Sequence, residues 1–486
     1  MSNNTSDNFL KGISVQTIVY GFSGILQVVV FAIFSRILSK TDFGYYAALN
    51  GITMIFIGIS DAGIGSAVIQ QKNLTKKYSA TAFTVSLILG ALIALLFFLI
   101  SPWLATFIID EKLILPLQLM SIPLLLNGMS GFAASSLKRD LKFVVVGKCR
   151  LLSYIISAIV GIIYGFYGGG VYALVLLFIL DSVLYTIFVF SNIPFPGFSI
   201  GRQESKSALS FGGWLTLGVI MSTIANQLDK LVLGKWLSVS RLGAYNRPSG
   251  FVMHLIGQMN LIFDSVLFPI LSTFQDSKEK FRSVLYSSYK LLSTFGVMLA
   301  FILFFNANLI ITIFFGSQWQ DMVIVLKIMS LSAVFMLNNT LADCFFRSFN
   351  LVKAGFFVRT FGVILTLSFL YIGAQYDIVG VAVSILLSNF LVVIIKIVYL
   401  CIKSEASCLK MLSISARAWI PSVPIILVGL AFVFLPSTFI VQIVLLLAIG
   451  LVALYELVQI PQFIGQEYVS LIYPKIASLK SKISHR

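Results

Sequence analysis

Fourteen apolar runs fill almost the whole chain, each close to the ~20 residues needed to cross a hydrocarbon core ~30 Å thick. They read Ile13–Phe34, Tyr45–Ile69, Ala80–Ile100, Leu113–Leu137, Val146–Phe166, Val171–Asn192, Leu209–Leu237, Ala244–Leu271, Val284–Phe305, Met322–Phe345, Gly355–Ile372, Ile378–Cys401, Trp419–Leu435 and Phe439–Val458. A backbone in lipid must satisfy its own N–H and C=O groups, which leaves helices or a closed barrel. These runs are continuous and lack the alternation of barrel strands, so helices are predicted. With 58% hydrophobic and 11% charged residues, the chain falls far from a soluble domain, in which about a quarter of residues are charged. The expected fold is all-α: a polytopic membrane protein with fourteen transmembrane helices.

A net charge of +16 could suggest a nucleic-acid partner, but the cations follow topology instead. Placing the N-terminus inside puts Lys72, Lys76, Lys77, Lys138, Arg139, Lys142, Lys278, Lys280, Arg282, Lys403, Lys410 and the tail Lys475, Lys480, Lys482 and Arg486 on the cytoplasmic side. The opposite connectors carry Asp110, Glu111, Asp321 and Asp377, as the positive-inside rule requires. Both termini are expected in the cytoplasm and no nucleic acid is expected as partner. The first run follows a polar leader and has no cleavage-site pattern, so it is read as a retained helix. Cys149, Cys344, Cys401 and Cys408 fall near the inner face, where thiols stay reduced.

One piece of punctuation occurs twice. Shifting SRILSKTDFGYYAALNG (Ser35–Gly51) by 199 positions onto GKWLSVSRLGAYNRPSG pairs Arg36 with Lys235, Ser39 with Ser238, Gly44 with Gly243, Tyr46 with Tyr245 and Gly51 with Gly250. LPLQLMS at Leu115 then meets IVLKIMS at Ile324, and GVYALVLL at Gly170 meets GVAVSILL at Gly380. Three anchors in order imply two six-helix halves, and six being even, both share one orientation: a parallel repeat about an axis along the membrane normal. The expected division is a lobe at 1–207, a second lobe at 208–410, two extra helices at 411–460 and a basic tail at 461–486 that lies on anionic head groups. Such lobes enclose a central cavity.

Polar side chains at membrane depth face protein or water, so they mark the cavity lining. The seventh run carries Ser222, Thr223, Asn226, Asp229 and Lys230 on one helical side, and the first answers with Ser23 and Gln27. The eighth adds Arg247, His254 and Gln258; the second offers Asn50, Thr53 and Asp61. Asp229 and Lys230 are readable as a self-satisfied packing pair or as site groups, and His254 as an interhelical contact or a titrating one. Arg247, about one turn inside the outer face, can grip phosphate oxygens with two N–H groups at once or snorkel to the interface. Asp181, near mid-depth, must be neutral or paired. Asp181, Asp264, Asp343 and Glu456 show no stripe of partners along the sequence.

Two histidines, one of them His485 in the tail, assemble no metal cluster and no catalytic triad. No metal, cofactor or enzymatic activity is expected. YGGG at Tyr167 lacks the Lys and Ser/Thr of a phosphate loop and reads as a turn.

SRILSKTDFG, SLKRDLKF (Ser136–Phe143), YGGGVYALV (Tyr167–Val175), LGAYNRPSG (Leu242–Gly250) and FFGSQWQDMVIVLKIMSL (Phe314–Leu331) occur in an order that resembles the Wzx-type polysaccharide flippases of the multidrug/oligosaccharidyl-lipid/polysaccharide exporter superfamily. The resemblance implies a bacterial inner-membrane transporter that turns an undecaprenyl-diphosphate-linked oligosaccharide to the outer leaflet by alternating access. It also implies cations in the central cavity, an expectation that falls on Arg247, with Lys230, Lys235, Arg36 and His254 as further positions. The YNRPSG segment departs from the family around Pro248 and Gly250, where an alanine and another basic residue are common. Gln27, Asn226 and Gln258 suit sugar hydroxyls, while a cation suits phosphate. Asp61, Asp229 or His254 would carry a coupled proton or sodium ion. Membrane lipids and polysaccharide polymerases are candidate partners. The alternative is a cation-driven multidrug exporter of the same superfamily, which would need an acidic, aromatic cavity.

Overall fold

The computed structural model describes residues 21–60, 64–71, 75–108, 110–272, 278–349, 351–435 and 439–464. In chain order its helices are α1 (Gly21–Ile37), α2 (Lys40–Ser60), α3 (Ile64–Gln70), α4 (Lys76–Ile108), α5 (Ile114–Leu119), α6 (Ser121–Arg139), α7 (Phe143–Phe166), α8 (Val171–Phe190), α9 (Arg202–Trp236), α10 (Val239–Ser272) and α11 (Lys278–Phe305). They continue as α12 (Ala307–Ile310), α13 (Val323–Ser348), α14 (Val352–Gly373), α15 (Asp377–Ser404), α16 (Cys408–Arg417), α17 (Val423–Val433) and α18 (Phe439–Ile464). Among the described residues there is no strand, and nine segments are long and apolar enough to cross a bilayer. The arrangement is inverted relative to a soluble protein: Ser153, Ser157, Thr294 and Ser330 are buried, while Leu95, Leu99, Ile159, Leu447 and Leu451 are exposed. Apolar side chains outward and hydroxyls inward are what a lipid solvent selects. The chain is a multi-pass membrane protein.

Contacts divide the chain into two compact units. The first comprises Met1–Phe251, Phe314–Trp319 and Arg359–Ser384. Lipid provides no hydrophobic drive between helices, so close approach depends on small residues. In α6, a Cβ on Gly128 would lie 2.5 Å from the Ser86 carbonyl oxygen of α4, and one on Gly161 of α7 would lie 3.0 Å from the Leu177 Cβ of α8. The turn between α7 and α8 is the YGGG segment, where Gly168 has φ of 85°, a conformation that suits glycine.

The repeated punctuation has a physical basis in this unit. Ser39 caps α2: its hydroxyl accepts from the Asp42 N–H at 3.2 Å while the Asp42 carboxylate accepts the Ser39 N–H at 3.0 Å, a reciprocal capping box. Ser238 caps α10 by the first of these bonds alone, accepting from the Arg241 N–H at 3.3 Å. One turn later the two equivalent glycines meet the partner helix. A Cβ on Gly44 would fall 1.8 Å from the Val239 carbonyl oxygen, and one on Gly243 would fall 2.0 Å from the Lys40 carbonyl oxygen. Because Lys40 and Val239 are themselves related by the 199-residue shift, the contact between α2 and α10 is reciprocal.

The second unit comprises Val252–Ile313, Gln320–Val358 and Ile385–Arg486. Its centre is α11 against α13, where Gly296 brings the backbones close to Val334 and Ser293 donates to the Asn338 side chain at 3.2 Å. Phe281, Phe345 and Phe349 pack at one end of this pair. Met298 of α11 joins Ile425 of α17 and Leu445 and Ile449 of α18 in a separate apolar cluster. Buried Lys396 of α15 pairs with half-buried Asp343 of α13 at 2.9 Å.

Candidate functional site

Arg247 sits two turns into α10 and is only 6% exposed. Its guanidinium lies over the Phe43 ring of α2, 3.1 Å from the centroid, and 4.9 Å from that of Phe31 on α1. Phe43 is set by the capping box beside it and by an edge-on contact with Trp319, whose indole N–H donates to the Ser35 carbonyl oxygen at 3.0 Å. Gln318 donates to that same oxygen at 2.6 Å. The GSQW segment singled out in the sequence thus holds the α1–α2 hairpin that forms the floor under Arg247.

Arginine Nε and Nη2 form one edge of the planar guanidinium, with parallel N–H bonds that match two oxygens of a phosphate or carboxylate. In Arg247 both are buried and neither finds an acceptor among the described residues. Stacking on two rings compensates burial by roughly 0.5–2 kcal/mol each, well short of desolvating a charge. Tyr46 and Tyr154 lie within electrostatic reach of it. The result is a cation with aromatic walls, phenol neighbours and an unused two-donor edge.

Asp229 and Lys230 do not pair with each other. The Asp229 carboxylate, 5% exposed, accepts the Tyr245 hydroxyl at 2.9 Å and the Lys230 backbone N–H at 2.9 Å. The Lys230 ammonium donates to Gln227 at 2.7 Å, and its methylenes lie on Gly51 of α2. Since Tyr245 and Arg247 are two residues apart, they point to opposite sides of α10, about 160° apart. Asp229 is therefore turned away from Arg247.

The remaining sequence candidates are spread out. Asn226 is exposed and Gln27 half-buried, while Arg36 is exposed at the end of α1. Lys235 is drawn to the end of α4, where it donates to the Phe107 carbonyl oxygen at 2.6 Å and lies over the Phe107 ring. His254 and Gln258, both half-buried, continue α10 in the second unit. Asp61 and the tail after Ile464 lie outside the described residues, as do the side chains of Ser222, Asp264 and Glu456.

Sequence reasoning missed the groups that other helices contribute. Asp181 of α8 is paired, with Arg150 of α7 at 3.0 Å and with the Ser153 hydroxyl at 2.7 Å. Phe31, Phe43, Tyr154 and Arg150 sit in apolar runs where aromatic residues are common, so only Arg150, a cation inside the fifth run, gave a signal. Tyr46 was visible as the repeat mate of Tyr245, although without a role. Among the described residues, no group of three or more His, Cys, Asp or Glu could hold a metal.

A profile of the family described as "Polysaccharide biosynthesis protein" matches residues 33–324. The chain is 23% identical over 319 residues to "Teichuronic acid biosynthesis protein TuaB" of Bacillus subtilis (strain 168), a match covering 64% of this chain and 65% of that one. It is 23% identical over 325 residues to "Lipopolysaccharide biosynthesis protein WzxC" of Escherichia coli (strain K12), covering 66% and 65%. The chain thus spans 65% of the length of each of these relatives in the match. The solved structure "Lipid II flippase MurJ, inward closed conformation" superposes with a TM-score of 0.70 at 16% identity, over 93% of this chain and 98% of that one, a likeness of fold.

Proposed function

The chain belongs to the polysaccharide biosynthesis protein family, and from that membership together with the surroundings of Arg247 we propose that it is a flippase for an undecaprenyl-diphosphate-linked oligosaccharide. The observation that carries this function is the buried Arg247 edge, Nε and Nη2, which lacks an acceptor within the described protein. Ionic side chains at membrane depth are expensive and persist where a substrate uses them. A diphosphate supplies the oxygens that this edge fits, and the tyrosine hydroxyls and Asn226 suit the attached sugars. The lipid tail stays in the bilayer while the head crosses.

The architecture we assign is fourteen transmembrane helices in two parallel six-helix lobes plus two C-terminal helices, in the bacterial inner membrane with both termini cytoplasmic. The reciprocal contact of Gly44 with Val239 and of Gly243 with Lys40 supports the repeat. Alternating access of these lobes would carry the head across, with Asp61, Asp229 or His254 as candidates for a coupled proton or sodium ion. A membrane potential acts on such a moving charge with about 2.3 kcal/mol per 100 mV.

Flipping of a lipid-diphosphate oligosaccharide in proteoliposomes tests the proposal against export of cationic dyes. Transport of the first and not the second, lost in Arg247→Ala and in Arg247→Lys with expression intact, is the expected outcome. Lysine keeps the charge but not the two-donor edge, so at least a tenfold loss is expected for it too. Dye export that survives Arg247→Ala, with no lipid-linked substrate moved, would replace the flippase with the multidrug exporter.

A further inference from the structure

Arg150 of α7 is a further guanidinium at membrane depth in the first unit, and its environment differs from that of Arg247. One terminal nitrogen, Nη1, is 3.0 Å from Asp181, and the guanidinium carbon is 5.2 Å from the centre of the Tyr185 ring. Asp181 is nearly enclosed, with its side chain 7% exposed, whereas the Arg150 side chain is 48% exposed.

The direction of that exposure decides what it faces. Leu152, Ile159 and Ile163 are 49%, 53% and 52% exposed and mark the lipid side of α7. At 100° per residue, Ile159 and Ile163 lie within about 20° of Leu152, while Arg150 and Tyr154 each lie about 160° from it. Arg150 is thus exposed on the side opposite the lipid. A snorkelling arginine would share the lipid face with Leu152 and stretch along it to the head groups. An exposed guanidinium on the inward face looks instead into an interior space wet enough to hydrate it.

Tyr154 extends this face by one turn, within electrostatic reach of Arg150, Asp181, Tyr46 and Arg247. Tyr46 in turn is within reach of Arg247. Tyr154 is therefore within electrostatic reach of both guanidiniums, Arg150 and Arg247. α7 starts at the connector bearing Lys138, Arg139 and Lys142, so Arg150 lies roughly 10 Å inside the cytoplasmic end at 1.5 Å per residue. α10 starts at the other face, which puts Arg247 roughly 12 Å inside the opposite end.

We infer that Arg150 is a second phosphate-binding station, the first contact of a lipid-linked diphosphate on the cytoplasmic half of its path to Arg247, a step that rests on the flippase function proposed above. Asp181 is the built-in counter-ion of this station. It holds the guanidinium in place through one nitrogen and competes with the incoming anion for its charge, which keeps binding weak enough for the head to move on. Ser153 fixes the carboxylate that does so.

Isothermal titration of the purified full-length protein with geranyl diphosphate, and in parallel with inorganic pyrophosphate, separates the outcomes. Arg150→Gln is expected to weaken geranyl diphosphate binding about tenfold, the scale of one charge-assisted contact. Asp181→Asn, which keeps an acceptor for Ser153 and removes the competing charge, is expected to tighten it severalfold. A misfolded variant cannot produce that gain. Affinities within twofold of the wild type in both variants, with binding abolished by Arg247→Gln, would overturn the second station and leave the proposed function standing. A response to the two substitutions with pyrophosphate alone would assign the station to free phosphate and overturn its lipid-linked role. No binding of either probe by the wild type would overturn both.

Discussion

The Tyr245 hydroxyl donates to the Asp229 carboxylate at 2.9 Å, joining α10 to α9 in a place where neither side chain meets water. An adjacent lysine would be the obvious partner for Asp229, but the Lys230 ammonium donates to Gln227 instead. The consequence is that one carboxylate in the unit is satisfied by a phenol and held off from Arg247. Tyr245→Phe removes the bond while keeping the ring. Unfolding in detergent should show a loss of about 1.5–3 kcal/mol, the range for a hydrogen bond to a charged group, and Asp229→Asn in that background should recover part of it.

Two glycines of the repeat behave differently on substitution. Gly44 has the Val239 carbonyl where a side chain would go, whereas Gly250 has nothing within 4 Å. Gly44→Ala should destabilise by about 1–3 kcal/mol or more, because a backbone carbonyl cannot swing aside as a side-chain tip would. Gly250→Ala should stabilise by about 0.5–1 kcal/mol through helix propensity. Thermal unfolding of the two variants side by side checks both signs.

The Lys396–Asp343 pair in the second unit, 5% and 23% exposed, offers a test of buried-ion energetics. Lys396→Met alone removes the buried lysine from the half-buried Asp343 and should cost about 1–3 kcal/mol, below the range for a fully buried pair. Lys396→Met combined with Asp343→Leu should recover most of that loss. A double-mutant cycle in chemical denaturation measures the coupling.

Asp110 caps the short turn before α5. The Lys112 N–H, and after it the Tyr45 hydroxyl, hold its carboxyl below the usual value of 3.8. A depressed folded-state pKa means stabilisation that is present above the unfolded value and disappears as pH falls through the folded one. Hydrogen exchange over residues 103–113 should therefore accelerate below about pH 3.8 in the wild type. Asp110→Asn should lose that pH response while keeping the cap, since asparagine accepts the same N–H.

Much of this protein was legible in the sequence because the signals are local. Apolar runs of membrane length, Ser39 and Ser238 one residue ahead of their helices, and Gly44 and Gly243 a turn further on act within a few residues of themselves. They pointed to a multi-pass helical chain and to the repeated hairpin without any knowledge of packing. The partners of the charges were decided only by tertiary structure. Asp181 meets Arg150 on the preceding helix, Asp343 meets Lys396 two helices on, and Lys235 reaches the end of α4. A helix that is apolar on nearly every side has little amphipathic moment, so its sequence does not state which way it is turned. That rotation is fixed by glycine contacts and buried hydrogen bonds with neighbours, and it alone sets which charge faces which.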